Sequence, residues 1–250
     1  MSGDKPQSEA ARAYLRADLP ALRKPWRDVD FTVIDLETTG LDPTRDEIIS
    51  FATVTVAGGR VRLDDARYEL IRPERMPGPD SIRIHGLREA DLTDAPPLSE
   101  RIDDLLAALT GRALIAHVAA IERGFLGAAL EQHGLDLRNP VVDTAELAIE
   151  LGRLQRRPRP PASETGPPGV ALSSPGLGWL ARSLGLPVHR PHHADGDALT
   201  TAQVFLALAT HLEAYSGGTL GSLVKTSRSP RRRTSLRDLL HRFGLGVLPR

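Results

Sequence analysis

Apolar residues recur along this chain at two different spacings, and the change between them separates strands from helices. Phe31, Val33, Ile34 and Leu36 form a nearly continuous apolar run, the pattern of a buried strand. Glu47 to Val56 and Arg60 to Ile71 read as two further strands, with Gly58-Gly59 as the hairpin turn between them. Three strands joined so tightly form an antiparallel meander. Beyond Pro96-Pro97 the period becomes helical: Ile102, Leu105, Leu106 and Leu109 share one face of a helix from Leu98 to Leu109, and Gly111 ends it. Ala113 to Ala116 is a short apolar run of the kind buried in a parallel sheet, and it delivers His117 at its end. Ala119 to His133 is the next helix, with Ile121, Phe125, Ala129 and Leu130 inward and Gly134 as its stop. Pro140 to Thr144 is another short strand, whose Asp143 caps a helix from Thr144 to Leu154. Leu177 to Leu184 and Ala198 to Ala214 are the last helices. Strands alternating with helices after a meander predict an α/β fold built on a mixed sheet.

The same pattern sets the boundaries. Residues 1–28 hold a short helical stretch, Ser8 to Leu19, then Pro20, Pro25 and Trp26; they read as an arm preceding the domain, with Trp26 docking on it. The domain is expected over 29–215, interrupted at 156–178 by a surface excursion with six prolines. Past Ser216 the globular pattern stops, and 216–250 is expected to be a tail. Composition adds charge to this picture. The 32 basic and 32 acidic residues cancel, yet Lys225 to Arg250 holds eight basic residues against one acid, a phosphate-binding arm or a solvated tail. There is no cysteine, so any metal must sit on oxygen or imidazole. Met1 to Arg12 lacks the apolar core of a signal peptide, and no run approaches the 18 apolar residues of a membrane span. A soluble, cytoplasmic protein with no membrane partner is expected.

The chemistry sits in the first strand. Asp35 and Glu37 stand in an otherwise apolar run, and a buried anion is tolerated only when something neutralises it. Side chains two apart on a strand share a face about 6.6 Å apart, so the two carboxylates point the same way and suit hard divalent cations. Thr38-Thr39-Gly40 then forms a polar lip over them. Three more polar residues lie where elements begin or end: Glu122, His192 and Asp197. His192 precedes Asp197 by five residues, which puts an imidazole on the loop beside a carboxylate cluster. Two metal ions with a neutral histidine nearby can support in-line phosphoryl displacement, with the histidine taking a proton from the attacking water.

Val-Ile-Asp35-Leu-Glu37-Thr-Thr-Gly, His117-x4-Glu122-x2-Phe125-Leu126 and His192-x4-Asp197-Ala198 together resemble the DEDDh-type 3′–5′ exonuclease family, which includes the proofreading epsilon subunit of bacterial DNA polymerase III. The likeness runs from about Asp30 to Ala214 and takes in Ile84-His85-Gly86 and Val142-Asp143-Thr144. It implies a ribonuclease-H-like fold with a five-stranded mixed sheet flanked by helices. Two Mg²⁺ or Mn²⁺ ions on Asp35, Glu37, Glu122 and Asp197, His192 as general base, and release of nucleoside 5′-monophosphates from a 3′ end are also implied. Thr38, Thr39, Gly40, Leu41 and His117 are expected on the substrate side, His85 in a structural or substrate-side role, and Asp195 facing solvent.

Where the family usually has His-Asn-x2-Phe-Asp, this chain has His117-Val-Ala-Ala-Ile-Glu122, so Val118 replaces asparagine, Ile121 replaces the aromatic and the acid is one methylene longer. Ala52 stands where the family often carries glycine. DNA 3′ ends are the favoured substrate, in proofreading, repair or end trimming, with a DNA polymerase or repair protein as partner. The alternatives are an RNA-directed 3′–5′ exonuclease and a non-catalytic nucleic-acid-binding or polymerase-docking module of the same fold. A phosphomonoesterase of the Asp-x-Asp-Thr type would need aspartate in place of Glu37.

Overall fold

The computed structural model describes residues 8–156 and 176–228. Five strands form one sheet: β1 (Phe31–Thr38), β2 (Ile48–Ala57), β3 (Arg60–Leu70), β4 (Ala113–Ala116) and β5 (Val141–Asp143), in the order β3-β2-β1-β4-β5. β1, β2 and β3 are the antiparallel meander, while β4 runs parallel to β1 and β5 parallel to β4. The expected mixed five-stranded sheet is therefore present.

Period-two alternation on β1 decides which helices cover which face. Phe31 and Val33 point to the side packed by α6 (Thr144–Gln155), α7 (Leu177–Ser183) and α8 (Ala194–Ser216). Ile34 and Leu36 point to the side packed by α1 (Glu9–Arg16), α4 (Leu98–Leu109) and α5 (Ala120–Glu131). Phe205 of α8 anchors the first side, its ring 4.9 Å from Phe31 and 5.5 Å from Trp26 between centroids. Buried aromatic contacts of this kind add about 0.5–1.5 kcal/mol each beyond their area. Two short helices, α2 (Pro79–His85) and α3 (Glu89–Leu92), lie between β3 and α4. Proline at the start of α2 and Gly86 at φ 77° past its end delimit it.

Two expectations change. Residues 217–228 do not leave the domain: α9 (Leu220–Ser227) buries Leu220, Leu223 and Val224 in the same core as Phe31 and Phe205. Its apolar positions at i, i+3 and i+4 make a one-sided helix, and Thr219 caps it. The N-terminal arm belongs to the same body. Trp26 is 1% exposed, its backbone N–H donates to the Gly218 carbonyl at 3.0 Å, and Pro25 bridges to Thr219. Second, α8 starts at Ala194 rather than at Ala198. Gly196 permits the early start, because a Cβ there would collide with the carbonyl oxygens of His189 and Arg190. The prolines at 158–175 and the arginines at 231–250 lie outside the described residues. Among the described residues no helix is long and apolar enough to cross a membrane.

Candidate active site

β1 ends in a polar pocket because its inward alternation runs out of apolar residues. Asp35 and Glu37 follow Val33 on the α8 side of the sheet, paired across β2 with Ala52 and Ser50. A shift of register between Glu37 and Thr38 closes the strand there. Asp197 enters from the first turn of α8. Asp35, Glu37 and Asp197 each present a carboxylate oxygen within 4.8 Å of the other two. None of the three is fully buried, so the cluster opens to solvent on one side.

Electrostatics show what this convergence does. Burial, followed by the charges of Glu37, Asp197 and Glu122, drives the Asp35 carboxyl well above the usual carboxylate range. Glu37 is pushed up to about 8 by burial and then by Asp197. Asp197 is raised by burial, partly offset by the His192 N–H and the nearby imidazole charge. Acids set this way hold protons unless a cation replaces them. Their oxygen donors, close spacing and open side fit a hard divalent cation.

Glu122 stands slightly apart. It lies in the first turn of α5, is 4% exposed, and falls outside the 4.8 Å group. Burial raises its carboxyl well above the ordinary value, with Asp143 and Glu37 adding to the effect, and Oε2 has no hydrogen-bond partner among the described residues. A buried, unpartnered carboxylate oxygen within the field of two other acids is a costly arrangement that a cation or its water would satisfy.

The histidines separate by their surroundings. His192 is exposed at φ 60°, and its backbone N–H donates to Asp197 Oδ2 at 2.9 Å. His193 is partly buried, with Nδ1 3.5 Å from Asp195, Nε2 3.4 Å from Arg190 and its ring 6.0 Å from Tyr68. Asp195 has a partly exposed side chain that accepts from Arg190 at 2.8 Å. His85 is buried. Its Nδ1 accepts from the Leu87 N–H at 3.0 Å, and burial lowers its pKa to about 4. Nδ1 of His117 lies 2.9 Å from Thr144 Oγ1, which places the ring at the end of β4.

The Thr38-Thr39-Gly40 lip is a built turn. Thr38 Oγ1 donates to the Gly40 carbonyl, and Thr39 exchanges bonds with Glu47, donating N–H to its carbonyl at 2.9 Å and accepting its N–H at 3.0 Å. A Cβ at Gly40 would meet the Asp46 carboxylate, which packs directly against the turn. Leu41 follows, half-buried.

Asp143 does more than the local pattern indicates. It caps α6 by accepting from the Ala145 N–H, and it also accepts from the N–H groups of Val118 and Ala119. Burial raises its carboxyl to about 6, opposed by those three bonds. Val118 has φ 61°, a conformation that typically adds about 1–3 kcal/mol of strain to a non-glycine residue. Only the replacement of asparagine by valine at 118 hinted at this turn, because asparagine takes positive φ readily.

A five-stranded mixed sheet of this order, with carboxylates gathered at the end of its first strand, defines a ribonuclease-H-like protein. Residues 32–205 match the sequence model of the RNase_T family, described as Exonuclease, and the chain belongs to that family. It is 33% identical over 201 residues to the DNA polymerase III PolC-type protein of Thermotoga maritima, covering 78% of this chain and 13% of the relative. The chain thus spans about an eighth of that relative's length. It is 30% identical over 191 residues to DNA polymerase III subunit epsilon of Treponema pallidum, covering 76% of this chain and 80% of the relative. Among solved structures, Exonuclease X in complex with 5′-overhanging duplex DNA superposes with a TM-score of 0.56 at 22% identity, over 79% of this chain and 99% of that one. E. coli Exonuclease I in complex with a dT13 oligonucleotide gives 0.60 at 17% identity, over 74% and 42%. These two likenesses establish the shared fold.

Proposed function

We propose that this domain is a metal-dependent 3′–5′ exonuclease that hydrolyses nucleic acid to nucleoside 5′-monophosphates, with DNA as the favoured substrate. The observation that carries the reading is the approach of Asp35, Glu37 and Asp197 to within 4.8 Å at the open end of β1. In this reading the three carboxylates hold Mg²⁺ or Mn²⁺, two ions in all, and Glu122 contributes directly or through water. Ions bound there would supply the charge that stabilises the attacking and leaving oxygens of an in-line phosphoryl displacement.

His192 sits on the solvent side beside Asp197 and accepts the proton of the attacking water. The His192 N–H to Asp197 bond fixes the loop that carries the imidazole. Thr38, Thr39, Gly40 and Leu41 bound the substrate on one side of the carboxylates, and His117 on another. The DNA complexes in which the two structural neighbours were solved support DNA as substrate. The names of the polymerase III relatives support a polymerase or repair assembly as the partner.

Incubation of the purified chain with 3′- and 5′-labelled DNA and RNA oligonucleotides, with Mg²⁺, Mn²⁺ or EDTA, tests the whole reading. The expected result is cation-dependent shortening from the 3′ end, faster on DNA. Absence of product with either cation would overturn it, and faster loss of RNA would reassign the substrate.

A further inference from the structure

His117 ends β4 and Glu122 begins α5, and between them the chain turns through Val118 at φ 61°. A side chain branched at Cβ opposes that conformation, so the turn needs an external hold. α5 supplies none of its own, because its N-cap residue Ala119 makes no side-chain cap bond. The hold comes from Asp143 at the end of β5. Its Oδ1 accepts from the Val118 N–H at 3.1 Å and its Oδ2 from the Ala119 N–H at 3.0 Å, across 25 and 24 residues of sequence. Oδ1 also accepts from the Ala145 N–H at 2.9 Å, and that single bond is all that capping α6 requires. Asp143 is 9% exposed, and its backbone N–H donates to Ser227 Oγ on α9 at 2.9 Å, which fixes the strand end itself.

We propose that Asp143 is a positioning residue of the nuclease site. Its carboxylate caps the entry to α5 from a neighbouring strand and locks the strained Val118 turn. That lock aims the Glu122 carboxylate toward Asp35 and Glu37 and sets His117 at the end of β4. The inference rests on the exonuclease reading above, and it assigns to Asp143 an effect on metal affinity that a helix cap alone would not have.

Asp143→Ser separates the two roles. Serine retains a hydroxyl that caps α6, but it is shorter and has one oxygen, so it does not span to Val118 and Ala119. The expected result is a folded protein with a lowered thermal midpoint, because the buried Val118 and Ala119 N–H groups lose their acceptor, and a kcat lower by up to about 100-fold, the cost of a misplacement of about 1 Å. KM for a labelled DNA oligonucleotide should change little, and Mn²⁺ should bind more weakly by electron paramagnetic resonance. Adding Val118→Asn to Asp143→Ser should recover part of both losses, because asparagine adopts positive φ without the clamp. Wild-type Mn²⁺ affinity in Asp143→Ser, whatever happens to kcat, would reduce Asp143 to a structural cap and overturn the proposal. A wild-type chain that binds Mn²⁺ yet cleaves nothing would overturn the exonuclease reading instead, and the Mn²⁺ comparison would still decide the role of Asp143.

Discussion

The backbone N–H of His192 donates to the Asp197 carboxylate at 2.9 Å, so the acid that closes the carboxylate cluster also shapes the loop carrying the proposed base. Gly196, between them, lets that loop lie on the first turn of α8. One carboxylate thus has two duties, and substitutions at 197 should separate them. Asp197→Asn keeps an acceptor for the His192 N–H and removes the charge; Asp197→Ala removes both. Both variants should lose hydrolysis, while Asn stays closer to the wild type in thermal midpoint. Residual activity near the wild-type level in Asp197→Asn would show that charge at this position is dispensable.

The carboxylate cluster predicts an unusual dependence of stability on pH. An acid whose folded pKa lies above its unfolded value stabilises the fold fully below the unfolded value, and that contribution disappears as pH rises through the folded one. Glu37, shifted from 4.5 to about 8, should therefore destabilise the cation-free protein progressively up to about pH 8. His85 acts in the opposite sense, but only below its unfolded value of 6.5. Between pH 6.5 and 8 in EDTA the melting temperature should fall, and saturating Mg²⁺ should flatten the slope. A flat profile in EDTA would contradict the raised carboxyls.

Relief of the same repulsion predicts that inactive variants can be more stable than the wild type. Asp35→Asn removes a carboxyl whose ionisation is opposed by burial and then by its three acidic neighbours. In EDTA at pH 8 its melting temperature should exceed that of the wild type, and the order should reverse with Mg²⁺, because binding to the folded state alone stabilises it. Equal shifts with Mg²⁺ in both proteins would remove Asp35 from the cation site.

Much of this site is legible in the chain itself, and the parts that are not are hidden for separate physical reasons. Asp35 and Glu37 are visible because two acids in an apolar strand violate the local pattern. The second role of Asp143 is invisible because its bonds to Val118 and Ala119 are tertiary, whereas its bond to Ala145 is two residues away and reads as an ordinary cap. α9 was obscured in another way. Its three buried positions occupy barely two turns between Gly217-Gly218 and an arginine-rich segment, so composition outweighed a short period. The start of α8 at Ala194 is hard to see in the sequence because glycine and two aspartates look like loop, although aspartates in a first turn are favoured by the helix dipole.

For the two adjacent histidines the surroundings predict opposite outcomes. His193 is engaged by Asp195 and Arg190 and packs near Tyr68, whereas His192 is exposed on the loop held by Asp197. His192→Ala should lower turnover by about 10²–10⁴-fold, the typical worth of a positioned general base. Cation binding should persist in that variant. His193→Ala should lower turnover far less. If His193→Ala proves the inactive variant, the base has been assigned to the wrong ring.

Glu122 offers the sharpest test, because its place in the site rests on chemistry rather than on close approach. It is outside the 4.8 Å group, yet it is 4% exposed, has an unpartnered Oε2, and its charge opposes ionisation of Asp35. An acid serving only the N-terminus of α5 would contribute about 0.3–1 kcal/mol to stability and little to turnover. Burial argues against that reading, since a helix-start acid is stabilised by remaining charged, whereas this carboxyl is driven toward its neutral form. Glu122→Gln preserves shape and removes the charge. It should cripple hydrolysis and raise the Mg²⁺ concentration needed for half-maximal turnover. Glu122→Asp, the residue the resembled family uses here, should retain part of the activity. In EDTA the Gln variant should melt higher than the wild type, because a buried carboxyl close to other acids has been replaced by a neutral amide. Turnover measured against Mg²⁺ for the three proteins decides the matter: superimposable curves for wild type and Glu122→Gln would exclude Glu122 from cation binding and leave Asp35, Glu37 and Asp197 as the whole acidic site.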